Sequence, residues 1–199
     1  SPPRSLRPIC PQRPGRSRQA GATAAGHPCR ALPQRRWRTL LAGPEHARDG
    51  FSCGTLALDH YLARQAGQDM RRRVSACYLA IQVNTGRVAG FYTLAAASVP
   101  LTELPEPLAK KLPRYASLPV ARVGRLAVDL AFHGQKLGGA LLADAVDRAA
   151  RSEVAVFALL VDAKDDAAVN FYLHHGFEPI GGKNRQLFVP LERFRAAAS

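Results

Sequence analysis

Acidic residues are missing from the first 44 positions of this 199-residue chain, which carry nine arginines. That absence divides the formal charge of +13 unevenly, because from Glu45 onward 19 Lys+Arg face 15 Asp+Glu. The basicity therefore belongs to the N-terminal segment, and net charge alone says little about what the rest binds. Cysteine is scarce. Cys10, Cys29, Cys53 and Cys77 form neither a CxxC pair nor a set with metal-type histidine spacing. Such thiols suit a reducing compartment better than a disulfide framework. Long apolar runs are also absent, none approaching the ~20 residues that span a bilayer. The expectation is a soluble, cytoplasmic protein with no membrane partner. At 47% hydrophobic, the chain is long enough for one well-buried domain and short for two.

What is present first is an arginine- and proline-rich segment over residues 1–36, with seven prolines and no sustained periodicity. It cannot bury enough apolar surface to offset its ordering entropy, so we expect a disordered extension over 1–36 and a folded domain over 37–199. Its prolines oppose the amphipathic helix of a transit peptide. Two readings stay open: an extension irrelevant to catalysis, and a basic arm that adds sequence-blind nucleic-acid affinity.

The remainder reads as an α/β chain. Trp37–Ala42 predicts a strand, Gly50–Gly54 a turn, and Thr55–Asp59 the opening of a helix. Ala76–Val83 and Val88–Ala97 flank Asn84-Thr85-Gly86-Arg87 and predict a hairpin. Leu101–Pro119 is proline-rich and reads as a surface excursion with a helical turn at Pro107–Leu112. The apolar run Val123–Val128 precedes a helix expected from Gln135 to Ser152, whose Leu137, Leu141, Leu142, Ala145, Val146 and Ala149 share one face. A strand at Val154–Val161, a helix at Asp166–His174 and a strand at Leu187–Pro190 complete the pattern. Strand–turn–helix repeated twice implies at least one parallel strand pair.

Chemistry concentrates between Arg122 and Phe177. Gly134, Gly138 and Gly139 stand where an apolar strand turns into a helix, so backbone can approach a ligand closely. Amides of the first helical turn, with Lys136 beside them, suit a pyrophosphate. An ordinary helix start with packing glycines is the plainer alternative. The spacing is not that of a nucleotide-triphosphate loop, nor is there an acidic partner for a Rossmann ribose. Tyr172 reads either as a packed aromatic beside Phe171 or as an acid. No Glu stands on Val120–Val128 as a base, and Asp129 suits a turn cap. Arg71-Arg72-Arg73, Lys110-Lys111 and Arg114 are either a phosphate-gripping surface or a solvated face. His174-His175 ends a helix, where partial positive charge suits the dipole, and Cys53 belongs to a turn.

Gln135-x-x-Gly138-x-Ala140 matches the Q/R-x-x-G-x-G/A signature of the GCN5-related N-acetyltransferase (GNAT) superfamily. Four further blocks, in order, resemble its branch of acetyltransferase toxins from bacterial type II toxin–antitoxin pairs. They are Phe51-x-Cys53-Gly54, Gly90-Phe91-Tyr92-x-Leu94-Ala95, Arg125-Leu126-Ala127-Val128-Asp129 and Asn170-Phe171-Tyr172-x-x-x-Gly176-Phe177. The resemblance covers about residues 37–191. It implies a GNAT fold, a mixed central sheet flanked by helices, with parallel strands splaying near Leu126 and Leu160. Acetyl-CoA is the implied acetyl donor, its pantetheine arm pairing with Leu126, Ala127 and Val128. Its pyrophosphate is expected on the turn of His133, Gly134, Gln135, Lys136, Gly138, Gly139 and Ala140, with Asn170 pointing at the pantetheine. Tyr172 takes the position of the catalytic general acid, with direct transfer through a ternary complex and no covalent enzyme intermediate.

A phenol with pKa about 10 can donate a proton or a hydrogen bond to a departing thiolate whose parent pKa is about 8.5. The lack of a strong base suits an α-amine of pKa about 8 better than a lysine amine near 10.4. The toxin branch implies aminoacyl-tRNA as acceptor, a ribbon-helix-helix antitoxin and a homodimer as partners. Two rivals are an acetyltransferase of a small amine or protein N-terminus, and a non-catalytic nucleic-acid module.

Overall fold

Alternating apolar residues on β-branched and aromatic-rich runs build the sheet, and 3.6-residue periodicity builds the helices that cover it. The computed structural model describes residues 36–195, so the expected disorder of the N-terminal segment lies outside the described residues. In chain order the domain contains β1 Trp37–Leu41, α1 Leu56–His60, a π-helical turn Tyr61–Gln65 and α2 Ala66–Arg71. The hairpin of β2 Ala76–Gln82 and β3 Val88–Pro100 follows, then α3 Glu106–Ala109 and β4 Ser117–Val128. After them come α4 Leu137–Ala150, β5 Ala158–Asp162, α5 Asp166–His174, β6 Glu178–Ile180, β7 Lys183–Pro190 and α6 Glu192–Arg195.

The strands form one mixed sheet of order β1-β2-β3-β4-β5-β7-β6. Only β4 and β5 are parallel, paired from Val120↔Ala158 to Val123↔Val161. Pairing stops there, while β4 continues five residues to Val128 against β3 alone. The expected splay exists, and it opens just beyond Val123 and Val161. A bulge assists it: Arg125 pairs with Thr93 and Val123 with Leu94, leaving Gly124 unmatched.

One face of the sheet is covered by α4 and α5, the other by α1, α2 and the segment around α3. All six apolar positions expected on one face of α4 are buried. At Gly90, a Cβ would stand 2.9 Å from both the Ala127 carbonyl and a Leu141 methyl, so β3 must lack a side chain there.

Three expectations need correction. Leu101–Pro119 is not wholly an excursion: Ser117–Pro119 is strand, paired with Ser98–Pro100, and the Pro119 carbonyl accepts from Phe157 N at 2.8 Å. Its prolines are tolerated because Leu118 and Val120 anchor the strand in a buried cluster with Val99 and Leu160. Val154–Phe157 is not strand; Val154 is exposed, and β5 begins only where Val120 offers a partner. Helix α4 starts at Leu137 rather than Gln135, because Lys136 holds a left-handed backbone with φ 59° that a helix cannot include.

Candidate active site

The splay and the N-terminus of α4 meet in a concavity of about 380 Å³. It is lined by Val128 from β4, by His133, Gly134, Lys136, Gly138 and Gly139 from the turn into α4, and by Phe171 and His175 from α5. Gly134 and Lys136 are both at positive φ and reverse the chain, so the helix N-terminus faces the cavity mouth. Gln135, Lys136 and Ala140 are exposed around it. The glycines are fitted to their neighbours. A Cβ on Gly138 would make ordinary contact with Phe171 at 3.5 Å, whereas one on Gly139 would sit 2.7 Å from His175 Nε2.

His175 cannot easily yield. Its Nδ1–H donates to the Phe171 carbonyl at 2.8 Å, and its ring lies 4.5 Å from that of Phe171. His133 Nε2 bonds the Val128 carbonyl at 3.0 Å and so covers part of the free edge of β4. An unpaired strand edge leading to an exposed helix N-terminus with a lysine fits an extended, phosphorylated ligand of acetyl-CoA type.

Tyr172 stands on α5 beside Phe171 and Phe177, at ring distances of 5.2 and 5.6 Å. It is 8% exposed, and its hydroxyl has no hydrogen-bond partner among the described residues. Burial, aided by the charge of Asp162, pushes its phenol up to about 12. The group is therefore a protonated hydroxyl at any working pH, with a proton to offer and no phenolate to act as a base. Asn170 is exposed on the same helix. The Asp165 carboxylate caps that helix, accepting from Ala168 N at 2.8 Å.

Asp129 behaves as a cap, as expected: it accepts from Ala131 N at 2.9 Å and from Ser52 N at 3.1 Å. Burial raises the Cys53 thiol, with a hydrogen bond to Asp59 acting the same way, so it is no nucleophile. Lys110 is committed to Glu106 at 2.7 Å, and Arg71, Arg72, Arg73, Lys111 and Arg114 are exposed. His175, Phe171 and Asp162 were not singled out for the site from sequence. The signal for the first two lay in the block around Tyr172, which is too short to separate lining residues from packing ones.

Residues 111–190 match the family model described as an acetyltransferase (GNAT) domain. A "tRNA-acetylating toxin" of Mycobacterium tuberculosis is 38% identical over 130 residues, 64% of this chain and 76% of that protein. Among solved structures, "AtaT complexed with acetyl-methionyl-tRNAfMet" aligns with a TM-score of 0.76 at 26% identity, covering 82% of this chain and 99% of AtaT. "AtaTR bound with AcCoA" aligns at 0.71 and 26%, covering 83% and 100%. The chain belongs to the GNAT family of acetyl-CoA-dependent N-acetyltransferases, and within that family to the branch of toxin acetyltransferases.

Proposed function

We propose that this chain transfers an acetyl group to the α-amine of aminoacyl-tRNA and thereby blocks translation. The observation that carries the reading is a splayed strand pair that leaves the edge of β4 free, with Tyr172, 8% exposed and without a hydrogen-bond partner among the described residues, on the helix that follows β5, in a chain whose relatives include a tRNA-acetylating toxin. Acetyl-CoA is substrate here and supplies the activated acetyl thioester.

Leu126, Ala127 and Val128 offer the free edge of β4 to the pantetheine, with Asn170 reaching it from α5. The α4 N-terminus at Gly138, Gly139 and Ala140, with His133, Gly134, Gln135 and Lys136, holds the pyrophosphate. An acceptor amine that has given a proton to water attacks the acetyl carbon. The carbon–nitrogen bond forms and the nitrogen releases its second proton to water, while the carbon–sulfur bond breaks and sulfur takes a proton from Tyr172, which recovers one from water. With no carboxylate base required, an α-amine that is partly neutral at cellular pH is the fitting nucleophile.

The reading extends to a cytoplasmic homodimer held inactive by a ribbon-helix-helix antitoxin, consistent with described residues that hold no helix long and apolar enough to cross a membrane. Incubation with radiolabelled acetyl-CoA and total charged tRNA, against deacylated tRNA, tests the central claim. Label confined to charged tRNA is expected. Acetyl-CoA binding without any labelled tRNA overturns the reading.

A further inference from the structure

The face of the sheet opposite α4 carries two arginines on either side of the Gly124 bulge, in unlike surroundings. Arg122 is tied to Asp162 through Nε at 2.7 Å and through Nη2, and Gln186 donates to the other carboxylate oxygen at 2.8 Å. Asp162 directly follows the last parallel pair and so sits at the mouth of the splay. Its charge is felt by the Tyr172 phenol, which belongs to the helix layer on the other face. One lone pair of this clamped carboxylate remains free for a further donor.

Arg125 has no carboxylate partner among the described residues. Its guanidinium lies 3.6 Å from the centroid of the Tyr61 ring, and it makes no hydrogen bond or ion pair among the described residues. Tyr61 is itself fixed, its hydroxyl bonded to Asp69 at 3.0 Å and to Ser75 at 3.3 Å. A half-buried cation with five unused donors is thus held flat on a rigid aromatic shelf. Burying a charge without its counter-ion is costly, and a planar fork suits the oxygens of a phosphate.

Three residues of strand set Arg122 and Arg125 about 10 Å apart along β4. Roughly eight covalent bonds separate the α-nitrogen of an aminoacyl ester from the 5′ phosphorus of its nucleotide, a reach of the same order. We propose that this face grips the acceptor at two points, Asp162 accepting a hydrogen bond from its neutral α-amine and Arg125 binding the 5′ phosphate of the terminal nucleotide. The assignment rests on the aminoacyl-tRNA reading above. Arg122 keeps Asp162 in place, and the stacking on Tyr61 spares Arg125 the entropy of being ordered on binding.

Three acceptors carrying one amino acid separate the contacts: charged tRNA, an aminoacyl-adenosine 5′-phosphate and the same ester without phosphate. Arg125→Ala is expected to raise KM at least tenfold for the two phosphorylated acceptors and to leave the third unchanged, with Arg125→Lys recovering part of the loss. Asp162→Asn is expected to lower kcat/KM at least tenfold on all three and to bring the Tyr172 phenol titration down from about 12. Acetyl-CoA affinity, measured by calorimetry, stays at the wild-type value throughout. A loss in Arg125→Ala that ignores the phosphate, repeated in Arg125→Gln, makes the stack merely structural and overturns the proposal. So does wild-type turnover in Asp162→Asn. Wild-type protein that acetylates none of the three, yet binds acetyl-CoA, removes the aminoacyl-tRNA reading and this assignment with it.

Discussion

The Tyr172 hydroxyl combines the proposed role of general acid with a lack of hydrogen-bond partners among the described residues, and both consequences can be measured. Tyr172→Phe is expected to slow turnover by about 10²–10⁴-fold while acetyl-CoA affinity is unchanged, since the role proposed for the phenol is on the leaving sulfur and not in binding. Single-turnover kinetics beside calorimetry separates the two. Burial and the charge of Asp162 raise this phenol to about 12, so the folded state holds the proton more tightly than the unfolded chain. Its stabilisation is complete below the unfolded pKa near 10 and is lost as pH rises through 12. Phenolate absorbance should therefore show a tyrosine titrating near 12 that is missing from Tyr172→Phe. Tyr172 could be named a candidate from sequence only through the local block that resembles the family, since its own surroundings read equally as a packed aromatic beside Phe171. Arg125 and Asp162 could not, because a charged residue on a strand looks like solvated surface until topology brings Tyr61 and the splay beside it.

Helix α4 shows what an element's pattern does and does not encode. Its buried face could be read residue by residue, because 3.6-residue periodicity survives any tertiary context. Its start could not, because a left-handed lysine follows from how the turn closes. Strand β6 was missed for a different reason: three residues carry too little pattern, although Gly181-Gly182, both at positive φ, are the hairpin signal that announces it. Lys136→Gly is expected to relieve about 1 kcal/mol of backbone strain and raise Tm, while weakening acetyl-CoA binding through the lost charge. Gly139→Ala should lower both, by about 1–2 kcal/mol, because pinned His175 must move. Adding His175→Ala should restore part of the loss, a coupling that a double-mutant cycle reads directly.

Across the whole molecule, α4 is tied to the opposite edge of the sheet by one polar cluster. Although burial opposes it, hydrogen bonds from Tyr92, Arg148 and Thr39 hold Asp144 below the ordinary carboxylate range. Burial, with the Asp144 bond, pushes the Tyr92 phenol far upward. Asp144→Ala strands that hydroxyl and should cost about 2 kcal/mol in denaturant unfolding. The cluster's stabilisation is present above the unfolded carboxylate pKa and fades as pH falls through the lower folded value, so stability should decline in acid less steeply in Asp144→Asn.

The parallel pair that ends at Val123 and Val161 leaves β4 with an edge inside the sheet, where proteins seldom tolerate one. A ligand that pairs with that edge is, to the chain, a missing strand supplied from solution. Amides beyond Val123 should then exchange with deuterium freely in the empty protein and slowly in the complex. The molecule's resistance to unfolding would follow the acetyl-CoA concentration by mass action, coupling the lifetime of a toxin to the carbon status of its cell.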